Sequence, residues 1–133
     1  MRLVVRKSAD QAVVDEWREV LAQYADVWCA LDRELGDNHG LSASEFEVLE
    51  RLGEGPDDCP GMRVQELAGA VHLSQSALSR LIGRLEKDGL VIRSMCAEDR
   101  RGVFVHLTDE GIDRYRAARP THRSVLASTL TKR

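Results

Sequence analysis

The chain has 133 residues, of which 43% are hydrophobic and 31% are charged, and its formal net charge is −3. These values predict one globular domain, residues 1–133, and exclude a disordered chain. No apolar run approaches the roughly 20 residues of a membrane-spanning helix, and residues 1–7 have too short an apolar core for a secretory signal, so we expect a cytoplasmic protein without a membrane partner.

A long first helix is predicted for residues 8–35, with Ser8 and Gln11 as a capping box at its start. Apolar residues then follow at alternating spacings of three and four, which is a heptad seam: Val14, Trp17, Leu21, Tyr24, Trp28, Leu31 and Leu35. A second apolar row makes this face wider than one neighbouring helix covers. We therefore predict a dimerisation helix that ends at the glycines of residues 36–40. The alternative is that the seam is ordinary core.

The second helix is predicted to begin at another capping box, Ser42 to Glu45, with Leu41 and Phe46 placed to pack against each other across it. Residues 53–61 contain three glycines and two prolines without any apolar period. This composition predicts a loop.

Two short helices joined by three residues come next. Val64, Leu67, Ala68 and Val71 share one helical face, and so do Leu78, Leu81, Ile82 and Leu85 after the joint at residues 72–74. Ser74 is a suitable N-cap for the second helix, and Gly89 is a suitable end. This arrangement is typical of a helix-turn-helix.

The outer face of the second of these helices is polar and basic, with no acid before Glu86. Hydroxyl, amide and guanidinium groups suit base edges and phosphates. We predict that the first turns enter the major groove of DNA and that the later cations contact its backbone, through Ser74, Gln75, Ser76, Ser79, Arg80, Arg84 and Lys87. The alternative is a solvated amphipathic helix.

A β-hairpin wing is predicted from the β-rich runs 90–93 and 103–107, which flank the charged, turn-prone residues 97–102. Arg100 and Arg101 lie at its tip, where we expect one of them to reach a minor groove with Asp99 positioning it. The alternative assigns all three to a solvated loop. Residues 72–106 carry a net charge of +2 and the rest of the chain −5, so positive potential is concentrated on this region.

The last helical region is predicted for residues 109–133. Thr108 caps it, and Asp109 and Glu110 favour its first turn. We expect a break or kink at Pro120, followed by a second segment whose Val125 and Leu126 join the dimer interface.

The strings ELAGAVHLSQSALSRLIGRLEKDGLVIR and EDRRGVFVHLTDEG resemble the winged helix of bacterial MarR-type (multiple antibiotic resistance) regulators, clearly over residues 41–111. The resemblance implies a mainly α fold with a small β-hairpin wing, a winged helix-turn-helix at 41–108 and flanking dimerisation helices. It also implies a homodimeric, ligand-responsive regulator, here predicted to be a repressor on a pseudo-palindromic operator with half-sites roughly 34 Å apart.

Two features depart from the family pattern. Arg63 stands where a Ser or Thr commonly caps the next helix, so it either reaches a DNA phosphate or is an ordinary surface arginine. Family members usually continue with one more helix in the dimer interface. Either the sequence is truncated or a dimer relies more on the first helix.

An effector, a small phenolic or other aromatic molecule, is expected in a cleft between the first helix, the second helix and the helix after the wing. Trp28, His39 and Phe46 are the residues predicted to lie nearest it. The alternative is a filled core without a cavity.

No enzyme is predicted, because no nucleophile, base and orienting group can be assembled and no phosphate loop appears. The three cysteines and four histidines lack metal-ligand spacing, so neither a metal nor a cofactor is expected. Two alternative functions remain: a thiol redox switch that uses Cys96 or Cys29, and a winged-helix protein-interaction module without DNA binding.

Overall fold

The computed structural model describes residues 8–54, 61–95 and 103–130. Five helices and three short strands follow one another in the order α1 (Ala9–His39), α2 (Ala43–Gly53), β1 (Met62–Arg63), α3 (Val64–Val71), α4 (Gln75–Lys87), β2 (Val91–Met95), β3 (Val103–Leu107) and α5 (Asp109–Leu130). The predicted fold class, mainly α with a small β wing, is confirmed. Within the described ranges no helix is long and apolar enough to cross a membrane.

Helix α1 is longer than the sequence predicted. Ser8 caps it by accepting a hydrogen bond from the Gln11 N–H at 3.2 Å, but the Gln11 side chain bonds to Asp15 instead of returning to the cap. The break predicted from residue 36 is wrong, because the helix continues through Gly36 and ends at Gly40, whose φ is +66°. One helical glycine costs only about 1 kcal/mol, and the neighbouring Leu35 is fully buried.

Helix α2 begins as predicted. The Ser42 hydroxyl accepts from the Glu45 N–H at 3.0 Å, and the Glu45 carboxylate accepts from the Ser42 N–H at 2.9 Å, which completes the capping box. The Ala43 N–H donates to Asp32 of α1 at 2.7 Å, and this bond fixes how α2 leaves α1. Phe46 is fully buried below the cap.

The sheet has three strands rather than the two of the predicted hairpin. Its order is β1-β3-β2, and both pairings are antiparallel, with Met62 opposite Val105 and Val91 opposite Leu107. Strand β1 has only two residues, so no alternation of apolar and polar residues could predict it from the sequence. A Cβ on Gly61, whose φ is +108°, would lie 2.3 Å from the Val105 carbonyl oxygen, so only glycine allows β1 to approach β3 this closely.

One hydrophobic core joins α3 and α4 to the rest of the described chain. The four apolar residues of α4 predicted to share a face are all buried, and with them lie Leu35, Phe46 and Leu67 from three other helices. Because every large apolar side chain of α4 points into this core, the polar side of α4 is left facing outward.

Helix α5 runs without interruption from Asp109 to Leu130, so of the two outcomes predicted at Pro120, a break or a kink, the break is wrong. Proline removes only one backbone hydrogen bond here, and Pro120 lies on the exposed side of the helix, where water can solvate the freed carbonyl. Ala118 and Val125 on either side of it are buried, so both halves of the helix pack into the core.

Thr108 ties the start of α5 to the end of α4. Its hydroxyl accepts from the Gly111 N–H at 3.0 Å, as a cap should, and donates to the Gly89 carbonyl at 2.6 Å. Gly111 is buried where a Cβ would lie 2.0 Å from the Leu90 carbonyl oxygen. The backbone after α4, at Gly89 and Leu90, therefore packs closely against the first turn of α5.

We expect Gly111→Ala to lower the free energy of unfolding by roughly 1–3 kcal/mol, because the added methyl overpacks this junction. Gly69→Ala on α3 is the matched control, since no heavy atom from outside its own helix turn lies within 4 Å of its would-be Cβ in the described chain. That control should stabilise by about 0.5–1 kcal/mol. Urea denaturation measures both changes, and an unchanged midpoint for Gly111→Ala would contradict the close approach.

Candidate nucleic-acid interface

The first turns of α4 present small polar groups outward. The Ser74 hydroxyl accepts from the Ala77 N–H at 3.1 Å and starts the helix, and the first turn carries no acid. Gln75, Ser76 and Ser79 are exposed beside it, as is Arg80. Since the helix N-terminus also carries partial positive charge, this end of α4 is suited to contact with DNA.

A tight joint fixes the angle between α3 and α4. His72 takes the left-handed conformation, with φ of 58°, and its N–H donates to the Ala68 carbonyl. The Leu73 N–H donates to the same carbonyl at 3.2 Å. The end of α3 is therefore closed by two backbone hydrogen bonds, and α4 begins directly after the Ser74 cap.

Arg93 connects the wing to α4, a role that the sequence did not reveal. Its Nε lies 2.9 Å from the Glu86 carboxylate, and its Nη2 donates to the Ser79 carbonyl at 3.4 Å. Both partners of the ion pair are partly exposed, so it stabilises the fold only weakly. The contact matters for position, because it holds strand β2 against the outward side of α4.

Arg63 is the N-cap residue of α3 but makes no side-chain cap. Its guanidinium carbon lies 5.7 Å from the centre of the Phe104 ring, in a cation–π contact with β3. Arg63 also lines a cavity of about 310 Å³ under the recognition helix, together with Val64, Gln65, Gln75, Ser79, Ile82, Arg93 and Val103.

The later cations of α4 face a groove beside the start of α2. Arg80, Arg84 and Lys87 line this open groove of about 670 Å³ with Ser42 and Ser44. Three positive charges thus follow one edge of the helix over two turns. The predicted wing-tip residues Asp99, Arg100 and Arg101 lie outside the described residues, and so does Cys96.

The predicted dimer residues divide into two groups. Val14, Trp17, Leu21 and Tyr24 are among six large apolar residues of the first half of α1 that are 37–65% exposed. Leu31 is only 3% exposed and Val125 only 7%, because both pack into the core of the same chain. Assigning these two to a dimer seam was therefore wrong; Leu126 is partly buried.

The three predicted effector residues do not form the walls of one cleft. Phe46 is fully buried, with ring centres 4.4 Å from His122 and 5.7 Å from Tyr115, so it is core and not a cavity wall. His39 bonds to the Thr121 hydroxyl at 2.8 Å beside an open hollow between α1 and α5. Trp28 is half-buried and stacks on Tyr24.

The fold is a winged helix-turn-helix. It combines two antiparallel strand pairings around β3, a three-residue joint between α3 and α4, and an outward polar side on α4. The sequence profile of the MarR family matches residues 41–103. The MarR family transcriptional regulator Sco3205 of Streptomyces coelicolor, solved in complex with DNA, is 32% identical, with a TM-score of 0.81 over 100% of this chain and 79% of that chain. The chain belongs to the MarR family.

Two curated relatives match a shorter stretch. The uncharacterized HTH-type transcriptional regulator YkoM of Bacillus subtilis is 32% identical over 85 residues, which are 63% of this chain and 52% of that protein. The homoprotocatechuate degradative operon repressor of Escherichia coli is 29% identical over 86 residues, 65% of this chain and 55% of that protein. The chain thus spans about half the length of the curated relatives it matches.

Proposed function

We propose that this protein is a transcriptional regulator that reads a DNA sequence in the major groove with helix α4. One observation carries the proposal: the whole apolar side of α4 is buried, and the side left outward offers hydroxyl, amide and guanidinium groups without an acid before Glu86. Gln75 and Arg80 have the side chains that pair with adenine and guanine edges. Sco3205, to which the chain is similar, was solved in complex with DNA, and this supports DNA binding as the function.

Backbone contacts are proposed for the cations around α4. Arg84 and Lys87 are too far along the helix to meet base edges, but they line the groove next to the start of α2, where a phosphate strand can pass. Arg63, which lines the neighbouring cavity, is proposed as a further backbone contact, and Arg100 and Arg101 are proposed from the sequence alone. Phosphate contacts of this kind set affinity and make it depend on salt.

The protein is further proposed to act as a repressor. The operon repressor of Escherichia coli is named as one, and a regulator that occupies its operator through the major groove can exclude other proteins from that DNA. The redox alternative has less support, because Cys96 lies outside the described residues and these contain no second cysteine that could pair with Cys29. The interaction-module alternative does not account for the acid-free reading face.

Arg80→Ala should weaken binding to a preferred DNA site by roughly 1–3 kcal/mol and weaken binding to random DNA much less, because a base contact is lost. Arg116→Ala is the matched control, since it removes the same charge from an exposed position on α5. Fluorescence anisotropy on both DNAs measures the two affinities. Equal losses on preferred and random DNA would show that Arg80 contacts only the backbone.

The exposed apolar face of α1 is proposed to be the interface of a two-fold homodimer. Six large apolar side chains between Val13 and Tyr24 remain open to solvent in the single chain. A monomer rarely exposes such a continuous patch. A second copy supplies an identical face, and a two-fold pair places two α4 helices on a pseudo-palindrome with half-sites about one helical turn, roughly 34 Å, apart.

Trp17→Glu combined with Leu21→Glu should yield a folded monomer, because charge placed in the seam would be buried without a partner only in the dimer. Arg18→Glu combined with Ala22→Glu is the matched control, since both residues are exposed elsewhere around the same helix. Sedimentation velocity reports the mass and circular dichroism the helix content. A Trp17→Glu, Leu21→Glu variant that stays dimeric would remove α1 from the interface.

The effector is proposed to bind in the cavity of about 310 Å³ under α4 rather than beside Trp28, His39 and Phe46. Val64, Ile82 and Val103 offer apolar walls, and Arg63 and Arg93 offer positive charge, so a small aromatic acid suits this cavity. Gln75 and Ser79 line it and also face DNA. A ligand that binds here better without DNA must weaken DNA binding by the same factor.

Hydroxyphenylacetate and hydroxybenzoate should release the DNA from the wild-type chain, and Arg93→Met should need a several-fold higher concentration for the same release. His39→Gln tests the site predicted from the sequence and should respond like wild type. Anisotropy titrations at equal initial saturation measure both responses. If His39→Gln alone loses the response, the effector lies between α1 and α5. If no acid releases DNA, the proposed ligand class is wrong and the DNA-reading proposal is unaffected.

A further inference from the structure

Helices α2 and α5 meet at a polar cluster that the DNA-reading proposal does not use. Glu47 and Glu50 lie one turn apart on the same side of α2, and His122 faces them from α5. One donor atom from each residue lies within 4.8 Å of the other two. His122 is 5% exposed and Glu50 7%, so the cluster is set into the protein and not on its surface.

The imidazole of His122 is held in a fixed orientation. Its ring stacks on Phe46 with centres 4.4 Å apart and an angle of 24° between the planes. Its Nε2 points at Glu47, whose Oε1 lies 3.7 Å away. This separation exceeds the 2.7–3.2 Å of an ordinary N–H···O hydrogen bond.

We propose that Glu47, Glu50 and His122 form a binding site for a divalent transition metal ion, best matched by Zn²⁺. Bonds of about 2.0–2.2 Å in tetrahedral geometry separate neighbouring donor atoms by about 3.3–3.6 Å. The Nε2 to Oε1 distance of 3.7 Å needs to shorten by only a few tenths of an ångström. One imidazole and two carboxylates leave a fourth position for water.

The chemistry of the ligands agrees with their geometry. A metal requires deprotonated carboxylates, and each carboxylate already lies beside a nitrogen-bearing side chain, Glu47 beside His122 and Glu50 beside Arg123. Tyr115, itself buried, donates from its hydroxyl to Glu50 at 3.5 Å. Such an outer contact orients a ligating carboxylate.

Arg123 is the cation that a metal ion would displace. Its guanidinium forms a close ion pair with Glu50, which raises the pKa of Arg123, and donates to Nδ1 of His122 at 2.7 Å. Because Nδ1 accepts that bond, a neutral ring carries its proton on Nε2. On metal binding Nε2 releases this proton to water, and Nδ1, freed from Arg123, takes one up.

A divalent ion can replace the Arg123 guanidinium, because both the space and the charge balance allow it. Arg123 is 49% exposed, so its side chain can turn into solvent. Two carboxylates and one guanidinium carry a net charge of −1, whereas two carboxylates and one divalent ion are neutral. The bound ion would clamp α2 of the winged helix to the flanking helix α5.

Metal binding is tested on the full chain after treatment with a chelator and with its cysteines reduced. Co²⁺ is added first, because its visible absorption reports tetrahedral coordination and a thiolate band would reveal cysteine ligands. Zn²⁺ then competes in a calorimeter. We expect one equivalent per chain, no thiolate band, and a higher melting temperature with Zn²⁺ bound.

Four variants separate a metal site from a structural cluster. His122→Gln and Glu47→Gln should weaken Zn²⁺ binding about tenfold or more, as loss of a ligand predicts. Arg123→Gln should tighten it roughly tenfold, since the competing charge is gone. His72→Asn, at an exposed left-handed position that asparagine tolerates, is the control and should bind like wild type.

The proposal is overturned if the wild-type chain binds no Co²⁺ or Zn²⁺, if a thiolate band accompanies binding, or if folded Glu47→Gln binds like wild type. It is also overturned if Arg123→Gln binds more weakly, because Arg123 would then support the site. Circular dichroism checks the fold of each variant. If His122→Gln unfolds, the proposal is still tested by the opposite changes in Zn²⁺ affinity that are expected for Glu47→Gln and Arg123→Gln. DNA takes no part, so this result is independent of the DNA-reading proposal.

Discussion

Burial of the apolar side of α4 is the constraint on which the rest of the structure depends. Leu78, Ile82 and Leu85 have no measurable exposure, and together with Leu81 they leave α4 one possible rotation about its axis. At about 25 cal/mol per Å² of apolar surface, burying four such side chains contributes several kcal/mol. Any rotation that turned the polar side inward would lose that contribution and leave guanidinium groups unpaired in the core.

The elements around α4 then hold this rotation in place. A backbone joint fixes α4 against α3, Arg93 ties strand β2 to its outward side, and Thr108 ties its C-terminal end to α5. The last of these contacts is part-buried and lies next to the closely packed Gly111. Most of the side chains that line the cavity beside α4 are exposed or half-buried, so under the proposed function this is the region where a ligand can alter the proposed DNA-reading surface most easily.

Much of this fold follows from local pattern, and the exceptions are places where packing overrides it. The helix-turn-helix and its caps were predictable because periodicity and cap chemistry agree there. The first helix was predicted to stop at residue 35 and the last to break or kink at Pro120, but α1 continues through Gly36 to His39 and α5 continues through Pro120, with buried neighbours on both helices. The apolar spacing of α1 could not show that Leu31 belongs to the core. The same heptad spacing fits a helix that packs on its own chain and a helix that packs on a second subunit. Glu47 and His122 meet only in space, so no sequence spacing signals them.

Sequence reading by α4 is tested by selecting preferred sites for the 133-residue chain from a random DNA library. We expect an inverted repeat to be enriched, with half-site centres about one helical turn, roughly 10 base pairs, apart. We also expect the most strongly enriched positions to be those that the exposed Gln75 and Arg80 face. A library that remains random after selection, at a salt concentration where the protein still binds DNA, would contradict sequence reading by α4.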